Sequence, residues 1–142
     1  LKYTHSLPPD ILLSHALPCP PEDWLYSDDP FAVLRTFRMR PERVIFVGHL
    51  HAAHGYILKK EEGKLLAHSM QKVDLSHDRH LINVGSVGQP RDGDPRACYV
   101  IYDVGENFAE YRRVEYDLQK AAQKIILAGL PEVLAQRLFE GQ

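Results

Sequence analysis

With 142 residues, 44% of them hydrophobic and 25% charged, the chain has the material for the core of one globular domain. Its formal net charge is −2 and its Lys and Arg residues are scattered, so it builds no basic stripe of the kind that neutralises the phosphates of nucleic acid. No apolar run approaches the roughly 20 residues of a membrane-spanning helix, and the opening LKYTHSLPPD has neither the charged nor the apolar region of a secretory signal.

The chain begins at Leu1 and enters a strand-like segment almost at once. Residues 10–15 (DILLSH) form a short apolar run between Pro8-Pro9 and Pro18, which suits a buried strand. Residues 19–30 are rich in Pro, Asp and Ser and read as a surface loop pinned by Trp24 and Tyr26. Cys19 in this loop and the distant Cys98 have no CxxC partner, so both read as reduced thiols in a cytoplasmic setting. Phe31, Leu34 and Phe37 recur at three-residue steps with Val33 on the same side. They predict a short amphipathic helix capped by Asp28 or Asp29 and ended by Pro41.

The clearest strand is 43–47 (RVIFV), β-branched and aromatic, running directly into Gly48-His49-Leu50-His51. Residues 56–60 and 64–68 flank Glu61-Glu62-Gly63 as a hairpin, residues 70–79 are polar and ambiguous, and 80–84 form another short strand. That strand leads into the Gly-rich run 85–90, and segments 97–103 and 108–116 flank Gly105 as a second hairpin. Leu118, Ala121, Ala122, Ile125 and Ile126 share one helical face, Gly129 stops that helix, and Pro131 opens another. Strands followed by helices, with many short turns, predict an α/β or α+β layered sandwich.

His49 and His51 stand out by position. They follow a buried strand, and in an extended backbone residues i and i+2 project to the same side. Gly48 lets the chain bend after the strand, and open α/β sheets bind ligands at the carboxyl ends of their strands. His15 ends another strand and reaches the same edge. Three imidazoles there suit zinc, iron, manganese or nickel. On residue type alone, His49 and His51 are equally surface or core histidines, and for His15 that structural reading is the favoured one. The run from Asn83 to Arg96 has the glycine density of a loop beside an active site, or of an ordinary turn-rich connection.

Taken in order, a strand ending in His, then G-H-x-H after a second strand, then N-x-G-S-V-G-Q-P-R-x-G-D-P-R before a strand, resembles the bacterial branch of the calcineurin-like phosphoesterases. The closing AGLPEVLAQRL is similar to that branch's usual ending, so the resemblance covers nearly the whole chain. It implies a four-layer α/β/β/α sandwich, of which residues 1–142 are the C-terminal portion, with the N-terminal half missing. It implies two divalent metal ions (Mn, Fe, Ni or Zn) that activate a water and offset phosphoryl charge. His49 would share one metal with His15, and His51 would bind the other. Gly48, Gly85, Ser86 and Arg91 would belong to the supporting loops, with a salt bridge from Arg91 to Asp92 or Asp94 as its simpler use.

The same resemblance calls for D-x-H, G-D-x-x-D and G-N-H-D or G-N-H-E motifs, and none occurs here; the expected leaving-group histidine is absent and no catalytic residue is assigned. Ala16 stands where glycine is usual and Leu50 where threonine is common. Neutral imidazoles without a carboxylate offset a dinuclear centre poorly. The chain is therefore expected to be part of a longer polypeptide and to be inactive alone. The strands at Ile11 and Val44 are expected to leave apolar faces uncovered, met by a missing N-terminal segment or by a second copy in a homo-oligomer. Substrates would be small phosphate esters or nucleotides. The alternative is a non-catalytic scaffold of the same fold that serves protein contacts.

Overall fold

The computed structural model describes residues 3–19 and 24–142, so the proline-rich centre of the predicted loop lies outside the described residues. The elements run β1 (Thr4–Leu7), β2 (Ile11–Ser14), α1 (Pro30–Met39), β3 (Val44–Val47), β4 (Ala53–Leu58), β5 (Leu65–His68), β6 (Lys72–Asp74), β7 (Arg79–Val84), β8 (Ala97–Asp103), β9 (Phe108–Val114), α2 (Leu118–Leu127) and α3 (Glu132–Glu140). A six-stranded sheet has the order β1-β2-β3-β7-β4-β5, and a three-stranded sheet the order β6-β9-β8. The fold is α/β. No helix among the described residues is long and apolar enough to cross a membrane.

Strand alternation builds two cores. Ile11, Val44, Phe46 and Ile82 of the larger sheet meet Val73, Cys98, Ala109 and Tyr111 of the smaller one. The residues between them, Leu12, Ile45, Val47 and Leu81, point the other way and pack against Ala32, Val33 and Phe37 of α1. Each such aliphatic side chain contributes about 1.5–3 kcal/mol by leaving water. Ile11 and Val44 are 4% and 0% exposed, so the expectation of bare apolar faces fails at these two residues, which the smaller sheet covers. Apolar surface remains open beside them, in a groove lined by Leu7, Ile11, Leu13, Phe46, Val100 and Val104.

Asp29 caps α1 by accepting from the Phe31 amide at 2.9 Å, with Pro30 opening the first turn. The buried face of the helix is Ala32, Val33, Thr36 and Phe37, and Phe31 is exposed instead of joining the core. At the other end Arg79, which opens β7, donates to the Phe37 carbonyl at 2.6 Å and also to the Arg40 and Glu42 carbonyls. A guanidinium thus closes the C-terminus of α1, where carbonyls lack helical partners. The last two helices pair with each other, and the Gly93 amide donates to the Gly141 carbonyl at 3.0 Å.

Candidate metal centre

The strands β2, β3 and β7 lie side by side and parallel, so their carboxyl ends share one edge. His15 follows the first, Gly48 to His51 the second, and Gly85 and Ser86 the third. His15, Gly48, His49, His51, Gly85 and Ser86 line one cleft of about 390 Å³, which places the predicted histidines and glycines around a single space. The Gly48 amide donates to the His15 carbonyl at 2.9 Å, tying the first two loops together.

The backbone between the histidines is not extended. His49 and His51 both have φ of 65°, the left-handed region. Non-glycine residues occupy it uncommonly and at a cost, and such residues cluster at functional sites. The same-side rule for extended chain therefore does not account for the pair; two left-handed residues carry it.

The His15 and His49 rings stand edge to face with centroids 5.2 Å apart. Tyr26 stacks on His49 at 4.6 Å, and Trp24 lies 5.4 Å from both imidazoles. The aromatics read as loop anchors thus wall the histidine pair, while Trp24 and Tyr26 remain 57% and 47% exposed. His51 Nδ1 donates to the Gln89 carbonyl at 2.9 Å. Burial pushes both imidazoles below their ordinary pKa, helped by His15 beside His49 and by Arg91 beside His51. The lowered pKa favours the neutral ring in both, the state a metal ligand needs, and the Gln89 carbonyl engages one nitrogen of His51.

The Gly-rich loop backs this arrangement. Gly85 has φ of 77°, and a Cβ there would lie 2.7 Å from Cys98 Sγ, so only glycine fits. Ser86 Oγ accepts from the Gln89 amide at 3.0 Å, shaping the turn whose Gln89 carbonyl holds His51. The Arg91 amide donates to the His51 carbonyl at 2.9 Å, and its guanidinium donates to Gln89 Oε1 at 2.8 Å. The expected salt bridge from Arg91 to Asp92 or Asp94 is not formed. Arg113 of β9 takes Asp92, and Arg96 takes Asp94 at 2.6 Å.

Sequence reasoning missed a polar knot beneath these loops. Asn83 is 0% exposed, and its Nδ2 donates to the Gly48 carbonyl at 2.8 Å and to Ser27 Oγ at 2.9 Å. Its Oδ1 accepts from the Gly85 amide at 3.2 Å. His54 Nε2 bonds the same Ser27 Oγ at 3.2 Å, and the Tyr111 hydroxyl donates to the His54 and Asn83 carbonyls. One signal was present: an asparagine in an otherwise apolar strand run, His80-Leu81-Ile82-Asn83-Val84, where β-propensity disfavours it.

The donor set fits part of a cation site. A 5.2 Å centroid separation lets two imidazoles reach one tetrahedral cation at about 2.0–2.1 Å from nitrogen. Among the described residues no carboxylate joins them, and no three His, Cys, Asp or Glu side chains come together closely enough to hold an ion. Among the described residues, these imidazoles stand without the anionic partners that balance a dinuclear centre.

A comparison against protein-family sequence profiles gives no match. An uncharacterized protein of Methanocaldococcus jannaschii is 43% identical, all of this chain aligning with 60% of that protein. The crystal structure of a metallophosphoesterase from Sphaerobacter thermophilus superposes with a TM-score of 0.88 at 32% identity, over 100% of this chain and 60% of that one. A hypothetical protein from Pyrococcus horikoshii OT3 shares the fold at a TM-score of 0.67 and 18% identity, over 98% of this chain and 50% of that one. The chain therefore has the fold of a metallophosphoesterase over the length they share. It spans about 60% of the first two relatives it matches.

Proposed function

We propose that this chain is the histidine-bearing portion of a calcineurin-like metallophosphoesterase, and that the complete protein hydrolyses small phosphate esters or nucleotides. The observation that carries this reading is the meeting of His15, His49 and His51 at one cleft at the ends of parallel strands. Bound divalent cations in such a site lower the pKa of water and offset charge on phosphoryl oxygens. The chain's own contribution is to hold neutral imidazoles. Tyr26 stacks on His49, and the Gln89 carbonyl orients the His51 ring. His15 and His49 would share one cation and His51 would take a second, with anionic ligands supplied by polypeptide outside these residues.

The test is calorimetric titration of the purified chain with Zn²⁺ and Mn²⁺, paired with hydrolysis of an aromatic phosphodiester. The expected result is weak Zn²⁺ binding that His49→Ala abolishes. Hydrolysis should occur only when the chain is joined to a segment carrying D-x-H, G-D-x-x-D and G-N-H-D. Among the described residues the cluster holds no carboxylate, which favours a second reading, a scaffold of the same fold that makes protein contacts. Absence of any cation binding, with an unchanged Tm on metal addition, would support the scaffold over the enzyme.

A further inference from the structure

We propose that Asn83 is the positioning residue of the cleft: its buried carboxamide fixes three loops relative to one another and thereby sets where the His49 and His51 rings stand. The proposal rests on the cation reading given above. The three loops come from distant parts of the chain, and each reaches Asn83 through its own hydrogen bond. Ser27 belongs to the segment carrying Trp24 and Tyr26, Gly48 begins the histidine loop, and Gly85 begins the Gly-rich loop. Asn83 pairs with Val47, the last residue of β3, so the carboxamide sits at the point where the histidine loop leaves the sheet.

The chemistry needs an amide. The Gly48 carbonyl and the Gly85 amide demand a donor and an acceptor from one short side chain, and only asparagine offers both at this length. An aspartate would face the Gly48 carbonyl with no proton to give, and an alanine would leave both backbone groups buried without partners. Gly48 precedes the first left-handed residue, and the direction of its carbonyl helps fix the backbone that presents His49. The Ser27 arm acts on the same ring from the other side, since its segment carries the Tyr26 ring stacked on His49. Tyr111 donates to the Asn83 backbone carbonyl and His54 Nε2 bonds Ser27 Oγ, so both the strand and the Ser27 arm of the knot are tied from below.

The experiment titrates the full chain with Co²⁺, read by visible absorption, and compares Asn83→Asp and Ser27→Ala with the core variant Ile45→Val. Ile45 is fully buried against α1 and takes no part in the knot, so this variant controls for lost stability. Asn83→Asp should weaken Co²⁺ binding at least tenfold and Ser27→Ala several-fold, while Ile45→Val retains wild-type affinity at a comparable fall in Tm. Amide hydrogen exchange in the metal-free variants supplies the second measurement. Protection should fall at Gly48, Gly85 and Arg91 while persisting at Ile45 and Leu81. Unchanged affinity in both knot variants, or a loss that Ile45→Val reproduces, would overturn the proposal. If Asn83→Asp fails to fold, Ser27→Ala decides. Should the wild-type chain bind no Co²⁺, the cation reading fails. The exchange pattern then judges Asn83 alone: selective loss at the three loop amides supports it, and uniform protection refutes it.

Discussion

Gly85 and His68 show how single positions are constrained by what lies above them. A methyl group at position 85 would meet Cys98 Sγ at 2.7 Å on a backbone already at φ of 77°. Gly85→Ala should therefore destabilise the chain by about 2–4 kcal/mol in urea denaturation, from left-handed strain and overpacking together. A loss under 1 kcal/mol would mean that the Gly-rich loop moves away freely. His68 lies over Gly55, close enough that a Cβ there would stand 2.6 Å from its Nε2, and neither ring nitrogen has a partner. Burial lowers its pKa from 6.5 to about 4, with His80 and His54 adding to the effect. Between those values the unfolded chain binds the proton and the folded chain does not. This contribution to stability is thus complete above pH 6.5 and lost as the pH falls toward about 4. After allowance for solvent screening the loss is on the order of 1–2 kcal/mol. His68→Leu should flatten this dependence and cost nothing at pH 7, since it removes unsatisfied polar atoms. Chemical denaturation of both proteins at pH 7 and pH 5 checks this, and parallel losses would show that His68 is not the group responsible.

Among the elements, α1 is held at both ends by side chains outside its own turns. Asp29→Ala should cost about 1 kcal/mol by removing the cap. Arg79→Met should cost about 2–3 kcal/mol, because it strips charged donors from carbonyls at the other end and from the loop beyond. Thermal melts rank the pair, and a larger effect from Asp29→Ala would contradict the closing role of Arg79. The element reading also shows what the sequence could tell. β3 was legible because four consecutive apolar residues, Val44 to Val47, are buried on both faces. β6 was not, since Lys72-Val73-Asp74 has a single buried residue and owes its strand to pairing with β9. Phe31 fitted the helical period yet stays in solvent, because the helix lies on the sheet through Ala32, Val33, Thr36 and Phe37. At the cleft, the G-H-x-H pair was readable as a local pattern. The Asn83 knot was not: its amide meets Ser27, 56 residues away, and such contacts leave no periodicity.

The two sheets are joined by charge as well as by apolar packing. Asp92 accepts from the Ala53 amide at 2.8 Å, at the start of β4, and pairs with Arg113 of β9. The Arg113 guanidinium and the Ala53 amide hold the Asp92 carboxyl below the usual carboxylate range against the opposing effect of burial. Asp92→Ala should cost about 2–3 kcal/mol, since it leaves a partly buried guanidinium and a strand-end amide unpaired. Asp92→Asn, which keeps an acceptor for Ala53, should cost about half as much. Equal losses would place the whole effect in the ion pair, and no loss in either would show that apolar contact alone joins the sheets.

The paired left-handed turns at positions 49 and 51 have a bearing on variation. Glycine relaxes such a backbone, and asparagine tolerates it, at no expense to the strands on either side. Libraries screened only for folding should drift to these two residues at both positions, and libraries screened for cation capture should keep imidazole. The tension between the two screens would measure how much comfort the chain gives up to hold its rings in place.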